Sequence, residues 1–264
     1  MDAWVHGVTL AALVLLALTG CPKNPSGVST GTLSVKMTDA PAAYQAVNLV
    51  IREVAVHLAG AESDSTSGWE VIKADSAVYD LLTLRNGVFA SIGTSKVPAG
   101  HYTQIRLKLG HGSTVVSGGV TYPLTVPSGL QSGYKLVGSF DVPSNGLVDL
   151  ALDFDATRSI IVTGSGTYLL KPTVRVMAFS TAGAIRGSVA PAGTACAIYA
   201  IQGADTLGSA AAAGDGTFQV SVLPAGTYSL SLHPAAGFRD TTLAGVAVTA
   251  GSTTNVGTVT LTPQ

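Results

Sequence analysis

The strongest constraint on the fold is the alternation of apolar and polar residues in short runs, which Gly, Pro, Asn and Asp interrupt from Gly31 onward. Alternation at period two turns one face of a strand toward a core, whereas an amphipathic helix needs apolar residues three and four positions apart. Runs of the helical kind are missing from the sequence, and Gly (31 residues), Thr, Ser and Val are frequent. The pattern therefore predicts an all-β protein built from sandwiches.

A short polar segment after Phe179 divides the chain. Residues 180–183 read Ser-Thr-Ala-Gly, and the alternation restarts beyond them. We expect two consecutive antiparallel β-sandwich domains, at 32–180 and 183–264, because each part supplies enough strands for its own core. In the first domain, the charged pair Arg52-Glu53 separates two apolar stretches and predicts a β-bulge that keeps both stretches buried.

The remaining predicted strands follow from the same alternation. In the first domain they lie at 33–38, 69–73, 101–109, 120–126, 134–142, 147–154 and 167–179, with a strand or a helical turn at 79–84. In the second domain they lie at 184–190, 195–201, 205–211, 217–222, 226–233, 242–248 and 253–262.

The amino terminus has the pattern of a lipoprotein signal peptide. Its apolar run, Val8–Leu18, has the length of a signal peptide and is too short to span a bilayer. The residues 18–21, Leu-Thr-Gly-Cys, match the bacterial lipobox, in which the cysteine becomes lipidated after cleavage. Residues 1–9 depart from the pattern because they contain no Lys or Arg. We expect a cleaved signal peptide at 1–20 and a lipidated Cys21 that begins a flexible tether at 21–31; the alternatives are a buried strand or an uncleaved anchor.

This anchor predicts a protein of the bacterial cell envelope, held to a membrane through its N-terminal lipid, with the outer membrane favoured over the inner one. Charged residues make up 11% of the chain and the formal net charge is -1, which argues against nucleic acid as a partner. The chain has two cysteines, so lipidation of Cys21 would leave Cys196 without a disulfide partner. Cys196 alternates with apolar Ile198, and we expect it to be a buried, inert thiol.

An acidic strand is the candidate metal site. Asp149, Asp153 and Asp155 lie two and four residues apart, so they share one face of a strand, and carboxylate oxygens are ligands that calcium prefers. Asp39, near the end of the first strand, could contribute a further oxygen. The alternative is a solvated strand face, because no compact loop supplies the six or so oxygens that calcium needs.

Aromatic residues beside turns are the candidate ligand platform. Trp69, Tyr122 and Tyr134 stand near Gly or Pro, and exposed rings of this kind bind sugars. Trp69 follows the most polar loop in the chain and is the first choice. The alternative is that these rings pack into the core, as a single Trp at the start of a strand commonly does.

Catalysis has no motif in its favour. The histidines His57, His101, His111 and His233 are scattered, and we find no nucleophile and base in matching contexts. One turn pattern occurs twice, at 97–103 (Val-Pro-Ala-Gly-His-Tyr-Thr) and 223–229 (Leu-Pro-Ala-Gly-Thr-Tyr-Ser). Pro and Gly there suit a turn that leads into a strand, so we interpret both copies as structural.

Several segments of the first domain resemble the secreted bacterial and archaeal family called domain of unknown function 4382. They are 33–41 (Leu-Ser-Val-Lys-Met-Thr-Asp-Ala-Pro), 97–106, 122–129 (Tyr-Pro-Leu-Thr-Val-Pro-Ser-Gly), 152–156 (Leu-Asp-Phe-Asp-Ala) and 170–172 (Leu-Lys-Pro). The family brings no established activity with it.

The second domain resembles the carboxypeptidase regulatory-like, or transthyretin-like, sandwich through Gly187, residues 215–218 (Asp-Gly-Thr-Phe), the second copy of the turn and the closing segment 246–261. This resemblance implies a fold shared with starch-binding modules, although fold alone does not establish function. We expect a non-enzymatic binding or structural module of the envelope whose partner is a glycan or an envelope protein. The alternatives are a carbohydrate-binding protein with this starch-binding-like fold and, second, an envelope hydrolase.

Overall fold

The computed structural model describes residues 28–60, 68–127 and 132–264, and most of these residues lie in strands. The predicted all-β sandwich class is confirmed. The predicted signal peptide and Cys21 lie outside the described residues. In the part of the chain that is described, no helix has the length and apolar character needed to cross a membrane.

The amino-terminal part contains thirteen of the described strands: β1 (Thr30–Ala40), β2 (Ala46–Leu58), β3 (Trp69–Lys73), β4 (Ala77–Asp80), β5 (Ala90–Pro98), β6 (Gly100–Leu109), β7 (Thr114–Ser117), β8 (Val120–Thr125), β9 (Tyr134–Val142), β10 (Leu147–Asp155), β11 (Ile160–Val162), β12 (Tyr168–Leu170) and β13 (Val174–Ala178). A 3₁₀ turn at Leu81–Thr83 follows β4, and a short helix, α1 (Ala156–Ser159), follows β10.

These strands form two sheets that face each other. Sheet I has the order β13-β10-β1-β5, and sheet II has the order β11-β12-β8-β7-β2-β6-β9, with β3 and β4 also paired to β2. The core between them takes alternate residues from each strand, such as Leu33 and Val35 of β1 and Leu150 and Leu152 of β10. This alternation is the one that predicted the strands.

The long strand β2 confirms the bulge predicted at Arg52-Glu53. Its pairing with β6 shifts register between Ile51 and Glu53, and Arg52 is exposed. The shift brings Leu49 and Ile51 before it, and Val54 and Val56 after it, into the same core. One extra residue therefore lets two stretches of opposite phase share one buried face.

The carboxyl-terminal part adds seven described strands: β14 (Ala182–Ala190), β15 (Cys196–Gln202), β16 (Asp205–Ala211), β17 (Thr217–Pro224), β18 (Gly226–Pro234), β19 (Thr241–Val248) and β20 (Thr253–Thr260). Sheet III has the order β17-β14-β20 and sheet IV the order β16-β15-β18-β19. Their core is separate from the first and includes Ile185, Ile198, Tyr228 and Leu230. All seven strands predicted there are present, with ends shifted by a few residues.

Strand direction differs from the antiparallel prediction in one respect. Three pairs are parallel: β1 with β10, β8 with β12 and β14 with β20. In each case the partners are far apart in sequence, which leaves chain enough for the long connection that parallel strands require. Alternation reports which face is buried and carries no information about direction.

The strand predicted at 167–179 is two strands. β12 belongs to sheet II and β13 to sheet I, and residues 171–173, Lys-Pro-Thr, link them. Pro172 has no N–H to donate to a ladder, which suits the chain's crossing from one sheet to the other. The ambiguous segment 79–84 contains both alternatives, the end of β4 and the 3₁₀ turn.

The two sandwiches meet in an apolar seam. Its buried members are Ala151 on the outer face of β10, Ala182 and Val222, with Phe89, Met177 and Phe179 packed around them. The rings of Phe89 and Phe179 meet edge to face with centroids 5.0 Å apart. A hydrogen bond crosses nearby, from Nδ2 of Asn86 to the carbonyl oxygen of Ala211 at 2.8 Å.

Candidate functional site

The acidic face of β10 borders this seam. Asp149, Asp153 and Asp155 do share one face of the strand, opposite the side chains that enter the first core. Nζ of Lys36 lies 3.1 Å from Oδ1 of Asp149. Ala151, between Asp149 and Asp153, is fully buried against the second sandwich, so the middle of this face is not a solvated surface.

Asp153 pairs with the guanidinium of Arg175 on the neighbouring strand β13. Burial raises the pKa of Asp153 to about 6, and the charge of Arg175 opposes that rise. Asp155 has a different role, because its Oδ1 accepts a hydrogen bond from the backbone N–H of Arg158 at 2.9 Å and so caps α1. Nε of Arg158 lies 3.4 Å from the other oxygen of Asp155.

Asp39 lies close to this group because β1 and β10 run in parallel and end together. The register places Asp39 beside Phe154, so its side chain is on the core face of the sheet, opposite the face that carries Asp153 and Asp155. Oδ1 of Asp39 accepts a hydrogen bond from the N–H of Ala156 at 3.0 Å, while its Oδ2 is buried without a hydrogen-bond partner in the structure. Burial raises the pKa of Asp39 to about 8, so this carboxyl is largely protonated at neutral pH.

These contacts bear on the predicted calcium site. Asp149 is engaged by Lys36 and Asp153 by Arg175, while Asp155 accepts from the start of α1. Among the residues that the structure describes, no three His, Cys, Asp or Glu side chains form a group suited to a metal ion. Calcium binding by Asp149, Asp153 and Asp155 stays a prediction.

Trp69, the first choice for a ligand platform, lies on the outer face of sheet II. Its ring meets that of His57 edge to face at 5.1 Å between centroids. The guanidinium of Arg106 lies over the ring, 4.3 Å from its centroid, and Nζ of Lys135 lies 5.7 Å from it. Arg106 is itself buried and bonded to Glu53 at 3.1 Å. One face of the indole is therefore occupied by the protein's own cation.

The other two rings pack against the first core. Tyr122 lies beside Tyr168, with centroids 5.0 Å apart. The hydroxyl of Tyr134 lies within hydrogen-bond distance of two carbonyl oxygens, those of Pro127 (2.8 Å) and Leu170 (3.0 Å). The structure does not bring Trp69, Tyr122 and Tyr134 together into one platform, because Tyr122 and Tyr134 contact the core and Trp69 contacts the outer face.

Two Ser–His–Asp arrangements, which were not predicted from the sequence, lie among the described residues. In sheet IV, Nε2 of His233 lies 2.9 Å from Oγ of Ser231, and its Nδ1 lies 2.8 Å from Oδ2 of Asp240. In sheet II, His101 lies between Ser139 and Asp141 in the same order, at 3.2 and 2.8 Å. A nucleophile and a base therefore lie within hydrogen-bond distance at both places, and their exposure decides whether the contexts match those of a triad. The spacing of Ser231 and His233, two residues apart on one strand, could have indicated the first arrangement from the sequence. The contacts with Asp240, and those of His101 with Ser139 and Asp141, join different elements and leave no such signal.

Exposure separates these arrangements from a catalytic triad. The side chains of His233 and Asp240 are 46% and 65% exposed, and those of His101 and Asp141 are 45% and 80% exposed. A triad uses a buried aspartate to stabilise the imidazolium, together with backbone N–H groups that bind the oxyanion. Ser231 lies in an interior strand with Tyr199 and Thr242 opposite it on either side. The backbone N–H groups beside it therefore pair with the neighbouring strands and do not form an oxyanion site.

Two cavities open where α1 approaches the second sandwich. The first, of about 210 Å³, is lined by Asp153, Asp155, Arg158, Arg175 and residues 206–209 of β16. The second, of about 140 Å³, shares Asp155 and Arg158 with the first and also reaches Tyr199 of β15. Together they form one cleft, which contains two carboxylates and two guanidinium groups and is therefore close to neutral.

Cys196 is a buried free thiol, as predicted. Burial raises its pKa, which lowers the fraction of reactive thiolate.

The fold and these sites define an all-β protein of two sandwiches joined by an apolar seam. A family model described as "Domain of unknown function (DUF4382)" matches residues 30–172, which is more than half of the chain. The chain belongs to this family, and the resemblance inferred from the first domain is confirmed. No curated protein matches the chain.

Solved structures show partial likenesses. The Bacillus anthracis TIE protein is 12% identical with a TM-score of 0.24, and the match covers 89% of this chain and 34% of that one, so the chain spans about a third of its length. The minor pilin GBS52 of Streptococcus agalactiae is 12% identical with a TM-score of 0.23, over 88% of this chain and 96% of that one. A putative cell adhesion protein of Bacteroides fragilis is 13% identical with a TM-score of 0.25, over 88% and 97%. Scores this low do not establish a common fold.

Proposed function

We propose that this chain is a lipid-anchored protein of the bacterial cell envelope whose two sandwiches act as a non-enzymatic binding or structural module. Cys21 would carry the lipid, and the polar residues after it would form the tether to β1. The outer membrane is the favoured location. The resemblance of residues 183–264 to the carboxypeptidase regulatory-like sandwich belongs to this proposal.

The observation that carries the proposal is the apolar seam between the sandwiches. Ala151 is fully buried, and Ala182 and Val222 are 7% and 2% exposed, although they belong to neither sandwich's own core. Burying apolar surface there stabilises one relative placement of the sandwiches, at about 25 cal/mol per Å² removed from water. A fixed placement suits a module whose two sandwiches present one continuous surface to a partner.

The charged side chains near the seam support a structural role as well. Arg175 of β13 pairs with Asp153 and also packs near Gly208 of β16, so it connects the two sandwiches. Asp39 fixes the start of α1 through the N–H of Ala156. The most buried carboxyls of this region therefore maintain the junction between the sandwiches.

The anchor is tested by Cys21→Ala in the producing bacterium, with Cys196→Ala as the matched control because Cys196 is the other cysteine and is buried. We expect Cys21→Ala to abolish labelling by a fatty-acid precursor and to release the protein from the membrane fraction. Cys196→Ala should keep both labelling and membrane association. Labelling that persisted in Cys21→Ala would refute the lipoprotein assignment.

A further inference from the structure

We propose that the cleft between the sandwiches, together with the adjoining outer face of sheet IV, binds an uncharged glycan. This inference deepens the proposed function, since it names a ligand class for the module and rests on the chain being a binding module. The site has three parts: the rim of the cleft at Asp155 and Arg158, the ring of Tyr199, and the polar side chains Ser231 and His233.

These parts form one continuous surface. Asp155, Arg158 and Tyr199 line the same cavity. In sheet IV, Tyr199 stands between Ser209 of β16 and Ser231 of β18, so the three side chains form a row on one face. The ring of His233 meets that of Tyr199 edge to face, with centroids 5.5 Å apart. The surface therefore runs from the cleft across the sheet with an aromatic ring in its middle.

The chemistry of this surface matches a sugar. A pyranose has one apolar face, which packs on an aromatic ring, and hydroxyl groups that both donate and accept hydrogen bonds. Tyr199 is 37% exposed, and no cation lies over its ring among the contacts of the described residues, in contrast with Trp69 beneath Arg106. Around it, Asp155 accepts, Arg158 donates, and the hydroxyl of Ser231 does both.

The polar groups are held in place before any ligand arrives. Asp155 orients the guanidinium of Arg158 from 3.4 Å, and Asp240 and Ser231 orient the two nitrogens of His233. Groups that are already ordered lose little conformational entropy on binding, which favours affinity. The side chains of His233 and Asp240 are exposed and Ser231 is half-buried, so all three can contact a ligand directly.

Charge selects a neutral ligand. Each guanidinium of the cleft has a carboxylate partner, Arg158 with Asp155 and Arg175 with Asp153. A charged ligand gains no net attraction from such a cleft, because each group that would attract it is paired with one that repels it. An uncharged chain of hexose or N-acetylhexosamine residues avoids that repulsion.

The test uses the detergent-solubilised full chain on an array of neutral oligosaccharides of glucose, galactose, mannose and N-acetylglucosamine, with uronate oligosaccharides for comparison. We expect binding to at least one neutral series. Titration with that oligosaccharide should show at least a tenfold loss for Tyr199→Leu and little change for Tyr199→Phe, which keeps the ring. Arg158→Ala, at a side chain 60% exposed, should weaken binding with an unchanged melting temperature.

Trp69→Ala is the matched aromatic control and should bind like the unaltered chain. The proposal is overturned if no neutral oligosaccharide binds, if uronate oligosaccharides alone bind, or if Tyr199→Leu and Arg158→Ala both bind normally. Loss of binding in Trp69→Ala with retention in Tyr199→Leu would move the site to sheet II. None of these results bears on the anchor, which the labelling of Cys21→Ala tests by itself.

Discussion

Tyr102 and Tyr228 form equivalent tyrosine corners in the two sandwiches, in which the hydroxyl bonds to the backbone of the turn before the strand. The hydroxyl of Tyr102 donates to the carbonyl oxygen of Pro98 at 2.7 Å, and the hydroxyl of Tyr228 donates to that of Pro224 at 2.8 Å. Both tyrosines are buried four residues after the proline, in the turn pattern that the sequence repeats. The structural interpretation of the repeat is thus supported, since each copy ties the start of a strand to the turn before it.

Removing one of these hydroxyls should destabilise the sandwich that contains it. Tyr102→Phe keeps the ring and leaves the carbonyl oxygen of Pro98 without this donor, so we expect the free energy of unfolding to fall by about 1–2 kcal/mol. Chemical denaturation followed by circular dichroism measures the change. Tyr122→Phe is the control, because Tyr122 packs against Tyr168 and is not tied to a corner. Equal effects of the two substitutions would contradict the role of the corner.

The sequence predicted strands well where one face alternates over several residues, and missed them where burial depends on a distant partner. β5 was missed because its apolar residues do not alternate with its polar ones. Its buried residues Ile92 and Val97 are five positions apart, which breaks the alternation. The break is accommodated by an irregular register opposite Val35 and Lys36, which a single strand does not encode.

The candidate sites divide in the same way. That Asp149, Asp153 and Asp155 share a face follows from the period of a strand, and the structure agrees. The position of Asp39 close to Asp153 and Asp155 depends on parallel pairing across more than a hundred residues, which alternation does not predict. The role of Tyr199 depends on α1 of one sandwich approaching β15 of the other. Such contacts arise in tertiary packing and leave no periodic signal.

Asp39 should make stability depend on pH. Its folded pKa of about 8 lies above its ordinary value of 3.8, so the native state favours the protonated form. The stabilisation is complete below about pH 4 and is lost as pH rises toward 8, with a slope of up to about 1.4 kcal/mol per pH unit. Asp153, whose pKa is raised to about 6 by burial, adds a loss of the same sign over the lower part of this range.

The substitution Asp39→Asn imitates the protonated carboxyl and keeps an oxygen for the N–H of Ala156. We expect it to flatten the decline in the free energy of unfolding between pH 6 and 8, measured by urea denaturation across that range. Asp149→Asn, on the neighbouring strand and paired with Lys36, is the control and should keep the decline. An unaltered slope in Asp39→Asn would show that this carboxyl is already ionised at neutral pH.

The seam should make the two sandwiches unfold together. Ala151→Asp places a carboxylate at a fully buried position, and Lys36 opposite it is already paired with Asp149, so the change costs about 3 kcal/mol or more. Calorimetry should then resolve two separate melting transitions in place of one. Leu147→Asp is the control, because Leu147 lies on the same strand and is 63% exposed. A single transition in Ala151→Asp with an unshifted midpoint would mean that the seam does not couple the sandwiches.

Ser231 should be unreactive toward a fluorophosphonate probe, although its hydroxyl lies 2.9 Å from Nε2 of His233. Asp240 is too exposed to stabilise the imidazolium that would form as Ser231 lost its proton, because water screens a surface ion pair. Labelling of the full chain with the probe, followed by mass spectrometry, checks this. Stoichiometric labelling that Ser231→Ala abolishes and Ser139→Ala does not would revive the envelope hydrolase. Without it, the hydrogen bonds of His233 orient polar groups for a ligand and leave the Ser231 hydroxyl no more nucleophilic than any other surface serine.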